Sequence, residues 1–266
     1  MTTKIIGTGS YLPEHVVSND DLAKLVDTSD EWIASRTGIR NRRIATKESG
    51  ADMAAAAAEE ALKDAGMDGS EINLILVATC SSDFQFPSTA CLVQKAIHAT
   101  NAAAFDLSAA CSGFLFALHT AHAYIRAGIY KNILLVGVEE LSKLIDWNDR
   151  STCVLFGDGA GAAVVTAADH GLEGFVQWSD GVGGEVLTCP GRKMENPWKE
   201  NASEKEYIQM NGQEVFRFAV KKVPECIRQV KEKTGTQMET IDWFILHQAN
   251  SRIIQSVAKR LGVPEE

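Results

Sequence analysis

AFDLSAACSGFLFALHTAHAYIRAG, residues 104–128, is the stretch from which the fold can be read. Ala104, Phe105 and Leu107 make a strand, and the small residues Ser108, Ala109 and Ala110 permit a sharp turn. Phe114, Leu115, Phe116, Ala117, Leu118 and Ala121 follow, apolar on nearly every face, which predicts a buried helix. Gly128 is placed to stop it. Cys111 falls at the junction, near the helix N-terminus, where unpaired N–H groups and the macrodipole favour a thiolate. Position alone leaves two readings open, a nucleophile or an ordinary core cysteine.

Outward from this stretch the same alternation continues. Residues 73–79 (NLILVAT) and 132–138 (NILLVGV) are unbroken apolar runs, the pattern of strands buried on both faces. Residues 4–10 read as a further strand. Between the strands, an Ala-rich helix over about 51–65 stops at Gly66, and Pro87 opens a helix that runs to about residue 99. Asn19 or Asp20 caps a short helix over 19–26, and Trp32 lies on a helical turn that breaks at Gly38. The whole predicts an α/β fold with a mostly parallel sheet covered on both sides.

Gly157, Gly159 and Gly161 in LFGDGAGA suggest a dinucleotide-binding loop, but residues 162–166 read as a strand where that loop needs a helix. Gly7 and Gly9 fail in the same way. Such glycines instead let backbones pack closely. Residues 180–205 are Gly-rich and polar, an expected loop. A helix over 212–233 carries Pro224, which should kink or split it. Residues 242–246 read as a buried strand ending at His247. Residues 251–261 then form an amphipathic helix with Ile253, Ile254, Val257, Ala258 and Leu261 inward.

The chain repeats itself weakly. INLILVATC at 72–80 and IDWFILHQA at 241–249 each precede a helix, which divides the chain into halves at 1–168 and 169–266. The second half ends before counterparts of the Cys111 strand, its helix and the strand after it, so it is expected to be incomplete.

Composition bounds the function. The 45% hydrophobic and 23% charged content is that of a soluble globular chain, and no stretch is apolar for long enough to cross a membrane. MTTKIIGTGSYLP lacks the apolar core of a signal peptide, and the six cysteines lack CxxC spacing, so a cytoplasmic protein with reduced thiols is expected. A net charge of −9 argues against nucleic acid. Basic residues still cluster locally: Arg36, Arg40, Arg42 and Arg43; Arg217, Lys221 and Lys222; Arg252, Lys259 and Arg260. Such patches steer anionic partners or are simply solvated surface. His119 and His122, three apart on one helix, lack a third ligand for a metal. His247 with Asn250 in HQAN, at a strand–helix junction, is a candidate site, the alternative being a structural histidine.

Seven motifs in order resemble β-ketoacyl-acyl-carrier-protein synthase III, the initiating condensing enzyme of type II fatty-acid synthesis: IIGTGSYLPE (5–14), SDEWIASRTGIR (29–40), FPSTAC (86–91), DLSAACSGF (106–114), LFGDGAGA (155–162), MNGQEVF (210–216) and HQANSRI (247–253). The resemblance implies a thiolase-like fold, a duplicated αβαβα layering, and a homodimer. It implies that Cys111 takes the acyl group, with acetyl the expected starter, from acyl-CoA, and that His247 and Asn250 support decarboxylative condensation with malonyl-acyl-carrier protein. Thr28, Trp32, Arg36 and Arg150 match residues around the CoA nucleotide and its phosphates. Phe86 and Phe156 match the acyl-pocket wall, Phe86 reaching in from the other subunit. Arg252 and Lys259, seven apart on the last helix, share a face that suits the acidic carrier protein, and Arg217 is a candidate to join them. No metal or other cofactor is implied. The family pattern continues beyond HQAN into a GNTSAA segment with a second catalytic Asn, and into a Gly-rich strand, neither of which lies in these 266 residues. A catalytically inactive CoA- or carrier-binding partner, or a synthase using a different acyl-CoA starter, are the alternatives.

Overall fold

The computed structural model of the chain describes residues 1–191, 198 and 207–264. The strands are β1 (Thr2–Tyr11), β2 (Val16–Ser18), β3 (Asn41–Arg43), β4 (Leu74–Ala78), β5 (Ala103–Leu107), β6 (Asn132–Glu140), β7 (Asp158–Ala168), β8 (Leu187–Thr188) and β9 (Gln209–Met210). The helices are α1 (Asn19–Leu22), α2 (Asp30–Thr37), α3 (Gly50–Ala65), α4 (Thr89–Ala96), α5 (Gly113–Arg126), α6 (Arg150–Cys153), α7 (Gly212–Thr234) and α8 (Ser251–Leu261). Of the loop expected over 180–205, residues 192–197 and 199–205 lie outside the described residues; Val182–Val186 is a 3-10 turn.

The chain divides into two compact units. The first comprises Met1–Val16, Arg43–Leu141 and Gly157–Phe175. Its sheet has the order β1-β7-β6-β4-β5. β4 is parallel to both β5 and β6, whereas β7 is antiparallel to β6 and to β1. Four strands therefore run one way and β7 alone is reversed. The expected crossovers explain the parallel part, and β7 returns antiparallel, a pairing that needs no crossover helix. β4 is buried at every residue, as its apolar run requires. β5 is an edge strand and leaves Phe105 39% exposed.

Alternate residues of the central strands feed two cores. Ile75, Val77, Leu134, Val136 and Val138 face α3 and α4. Leu74, Leu76, Ile133 and Leu135 face Ala117, Ala121 and Ile125 of α5. The unit is thus layered helix, sheet, helix. The alanines of α3 allow close approach to β1, where a Cβ on Gly7 would meet backbone at Ala61 and Ala65, and one on Gly9 would meet backbone at Ala57 and Ala61. A Cβ on Gly159 would lie 3.1 Å from Leu12 Cδ2. These glycines are packing residues, as their strand positions suggest. α5 departs from the expected all-round burial. Ala117, Ala121 and Ile125 are buried, while Leu115 is 55% exposed. His119 stacks on Phe175 with ring centroids 4.1 Å apart, and His122 Nδ1 meets Thr3 Oγ1 at 2.9 Å.

The second unit comprises Val17–Arg42, Ser142–Phe156 and Val176–Glu266. Buried Asn19 and Arg42 organise one end of it. Asn19 Nδ2 donates to Asp30 and to the Ile39 carbonyl, both at 2.8 Å, and Arg42 donates to Asn19 Oδ1 at 2.7 Å and to the Val154 carbonyl at 3.2 Å. The cap of α1 is Ser18, whose hydroxyl accepts from Asp21 N, rather than Asn19 or Asp20. α4 likewise starts at Thr89 behind a Ser88 cap, with Pro87 outside the helix, and ends at Ala96. α7 runs unbroken through Pro224, so the expected split does not occur. α8 turns Val257 and Ala258 inward as its stripe requires, and Arg228 donates to its Arg260 carbonyl at 2.8 Å.

The strand expected over residues 242–246 is not formed. Residues 241–248 carry no strand pairing, and Trp243 and Ile245 are 81% and 94% exposed. An apolar run becomes a strand only where another strand completes its ladder.

Candidate active site

Cys111 sits in a 3-10 turn, Ala110–Ser112, directly ahead of α5. The small-residue run before it folds as a forced turn. Ala110 has φ +45°, in the left-handed region that costs an L-residue roughly 1–2 kcal/mol. Strain of this kind collects at functional positions. The first residue of α5, Gly113, lies against the end of β4: a Cβ there would come within 2.8 Å of Ala78 Cβ. Only glycine lets the turn settle so close to the sheet.

Cys111 reaches solvent. Burial nevertheless pushes its thiol up from the ordinary value, the backbone N–H of Cys111 pulls it down, and the Glu139 carboxylate pushes it up again. Desolvation and a like charge outweigh the local N–H groups. Glu139 carries no obvious signal in sequence beyond being an acid at the end of an apolar strand. Its carboxylate accepts from Cys80 N at 2.9 Å, from Cys80 Sγ at 3.2 Å and from Ser81 Oγ at 2.5 Å.

Phe86 lies in the loop between β4 and α4 and is 87% exposed. The loop is pinned at its far end, where Asp106 accepts from Thr89 N at 2.8 Å and Ala90 N at 2.7 Å. All six cysteines are thiols rather than disulfides. Among the described residues no cluster of three His, Cys, Asp or Glu side chains is arranged to hold a metal. No helix among them is long and apolar enough to cross a membrane.

In the second unit Trp32 is flanked by two cations. The Arg36 guanidinium lies 4.6 Å from its ring centroid and that of Arg150 4.8 Å. Arg150 is held by the Asp27 carbonyl at 2.6 Å, and Arg36 reaches the Trp32 carbonyl at 3.3 Å. Thr28 Oγ1 is buried with no hydrogen-bond partner among the described residues. The basic cluster read from sequence is divided among several tasks. Arg40 pairs with Asp30 at 3.3 Å, Arg42 is buried, and Arg43 donates to the Pro13 carbonyl at 3.1 Å.

Asn250 caps α8 and accepts from Arg252 N at 2.8 Å through Oδ1. Its Nδ2 end is thereby left to donate. His247, three residues earlier, reaches solvent, and desolvation lowers its imidazole below the ordinary histidine value. Phe156 is half-buried. Arg252 donates to the Ser35 carbonyl at 2.8 Å and so links α8 to α2. Arg217 pairs with Glu214 one turn away, and Lys259 is exposed on α8.

Comparison with known proteins follows the same outline. The family model described as 3-oxoacyl-[acyl-carrier-protein (ACP)] synthase III matches residues 105–181, and its C-terminal counterpart matches residues 232–266. The chain is 52% identical to β-ketoacyl-[acyl-carrier-protein] synthase III of Clostridium acetobutylicum, over 98% of this chain and 81% of that protein. It is 52% identical to the enzyme of the same name from Neisseria meningitidis serogroup C, with the same coverage. The crystal structure of 3-oxoacyl-[acyl-carrier-protein] synthase III from Aquifex aeolicus superposes with a TM-score of 0.91 at 48% identity, covering 99% of this chain and 82% of that one. The fold is thiolase-like, as the sequence motifs imply. The chain belongs to the β-ketoacyl-[acyl-carrier-protein] synthase III family.

Proposed function

We propose that the chain initiates type II fatty-acid synthesis by condensing an acyl group from acyl-CoA, acetyl in the first instance, with malonyl-acyl-carrier protein. The observation that carries this reading is Cys111, a solvent-reaching thiol on a strained turn at the head of α5 in a member of this family. The Cys111 sulfur attacks the thioester carbonyl, a new C–S bond forms as the bond to the CoA sulfur breaks, and the proton given up by the Cys111 thiol ends on the departing CoA sulfur. The Cys111 backbone N–H supports the oxyanion. Malonyl-carrier protein then loses carbon dioxide. Its enolate carbon attacks the acyl-cysteine, a C–C bond forms, and the Cys111 thiolate is released. His247 and Asn250 donate hydrogen bonds to the enolate oxygen. A neutral imidazole and an amide whose Oδ1 is already engaged supply such donors. Both steps are redox-neutral.

Thr28, Trp32, Arg36 and Arg150 bind the CoA nucleotide in this reading. An indole offers adenine a stacking face, guanidinium groups suit phosphate, and the Thr28 hydroxyl is buried with no partner among the described residues. Phe86 and Phe156 line the acyl pocket, with the exposed Phe86 entering the pocket of a second subunit in a homodimer. Arg217, Arg252 and Lys259 meet the acidic carrier protein, Arg252 while also bracing α2. The unbridged thiols suit a cytoplasmic setting.

The test is a condensation assay with malonyl-acyl-carrier protein and a series of straight and branched acyl-CoAs, the carrier-bound product being read by mass. A β-ketoacyl product supports the reading, and the preferred acyl-CoA distinguishes the acetyl starter from another. Binding of CoA and carrier protein with no product from any acyl-CoA would favour a non-catalytic partner. Cys111, His247 and Asn250, all present together, speak for the enzyme.

A further inference from the structure

Trp32 and Arg150 belong to different elements of the second unit, α2 and the head of α6, yet the guanidinium lies 4.8 Å from the indole centroid. A surface contact of this kind is weak and leaves its spacing to the elements that carry it. Those two elements are joined through two buried polar residues, Asn19 and Arg42, which are 1% and 5% exposed.

Both amide hydrogens of Asn19 are used. One goes to Asp30 Oδ1 and one to the Ile39 carbonyl, each at 2.8 Å, while Asn19 Oδ1 accepts from Arg42 at 2.7 Å. Asp30 is the first residue of α2, and Ile39 follows its Gly38 cap. A single side-chain amide therefore holds both ends of the helix that carries Trp32 and Arg36. The Asn19 N–H donates to the Arg40 carbonyl at 3.1 Å, which fixes the amide's own place. Arg42 carries the link onward. The guanidinium nitrogen that donates to Asn19 also donates to the Val154 carbonyl at 3.2 Å, and Val154 is the C-terminal cap of α6, whose first residue is Arg150. A chain of hydrogen bonds thus runs from Asp30 through Asn19 and Arg42 to Val154. Buried donors and acceptors tolerate few other arrangements, because an unpaired one is costly.

We propose that Asn19 is a positioning residue for nucleotide binding: its amide, bonded to both ends of α2 and through Arg42 to α6, sets Trp32 against Arg150 at the spacing that the CoA nucleotide meets. The proposal rests on the reading of Trp32, Arg36 and Arg150 as the nucleotide site. Asn19 itself is buried and acts through Trp32.

The test is the Kd of CoA, measured by calorimetry on the whole chain. Asn19→Asp keeps the shape and an oxygen for Arg42 but donates nothing to Asp30 or Ile39. It is expected to raise the Kd about fivefold or more, a loss within the range of one stacked base. In a Trp32→Ala background the same substitution is expected to change the Kd by less than about twofold, since residues that act through one another are not additive. Gly9→Ala, in the first unit, serves as the control for lost stability and is expected to leave the Kd unchanged. An unchanged Kd in Asn19→Asp overturns the proposal, as does a loss of equal factor in the Trp32→Ala background or in Gly9→Ala. If Asn19→Asp does not fold, Asp30 decides. Asp30→Ala removes the acceptor and is expected to raise the Kd, while Asp30→Asn keeps an accepting oxygen and is expected to match the wild type; equal Kd values for the two overturn the proposal. Trp32→Ala alone is scored separately. If it leaves the Kd unchanged, the nucleotide reading itself fails and the proposal with it, whereas a Trp32→Ala loss without an Asn19→Asp loss sinks only the positioning role.

Discussion

The Arg150 guanidinium lies over the Trp32 indole, 4.8 Å from the ring centroid, with Arg36 4.6 Å away. In the proposed function this aromatic face and its cations serve adenine and phosphate. Stacking of a base on an aromatic side chain contributes about 1–3 kcal/mol. Trp32→Ala is therefore expected to raise the KM for acyl-CoA about tenfold or more and to leave kcat within about threefold, since the indole takes no part in bond making. Trp32→Phe, which keeps a stacking face, is expected to recover part of the loss. Steady-state kinetics with varied acyl-CoA at saturating malonyl-carrier protein measure both.

Gly9 and the backbone of α3 touch so closely that a methyl group has nowhere to go. The obstacle is backbone at Ala57 and Ala61, which cannot rotate aside. Overpacking typically costs about 1–3 kcal/mol. Gly9→Ala is expected to destabilise the chain by that amount, and Gly161→Ala, where a Cβ meets nothing within 4 Å, by clearly less. Urea denaturation of the two variants beside the wild type provides the comparison.

His247 is held below the ordinary histidine value by desolvation. The neutral imidazole is the form the condensation step uses, and it persists as pH falls until the lowered value is reached. Decarboxylation of malonyl-carrier protein is expected to lose activity on the acid side with a midpoint below that of an ordinary histidine. The stability linkage has the same sign. A group whose folded value is depressed resists protonation in the folded state, so stability falls as pH drops below the unfolded value. An NMR titration of the imidazole, set beside the pH–rate profile, reads the same group twice.

Most of the sheet was legible from residue type. The apolar runs at 73–79 and 132–138 read as buried strands, and they form β4, buried throughout, and β6, buried at 133–136 and 138. The glycines of β1 read as places of close backbone approach, and the Ala-rich α3 is what approaches them. The reversal of β7 was not legible, because direction depends on connection geometry and not on the strand's own residues. Residues 241–248 misled for a related reason. Their apolar character suits a strand, but strand pairing is non-local and no ladder forms on them among the described residues.

At the site, Cys111, Trp32 and Asn250 were visible as residue types at turns and helix starts. What remained hidden was the environment. The left-handed Ala110 looked like one more small residue. Burial first, and then the Glu139 carboxylate, push the Cys111 thiol up against the pull of its own backbone N–H. Electrostatic balance at a single atom depends on which strand end faces it, and that follows only from register.

The central claim is that Cys111 accepts the acyl group. The direct measurement is the intact mass of the purified chain after exposure to acetyl-CoA, with the modified peptide located by fragmentation. One acetyl group per chain on Cys111, removable by hydroxylamine and absent in Cys111→Ser, is the expected result. An acetyl group on any other residue, or none in a chain that still binds CoA, would contradict the account.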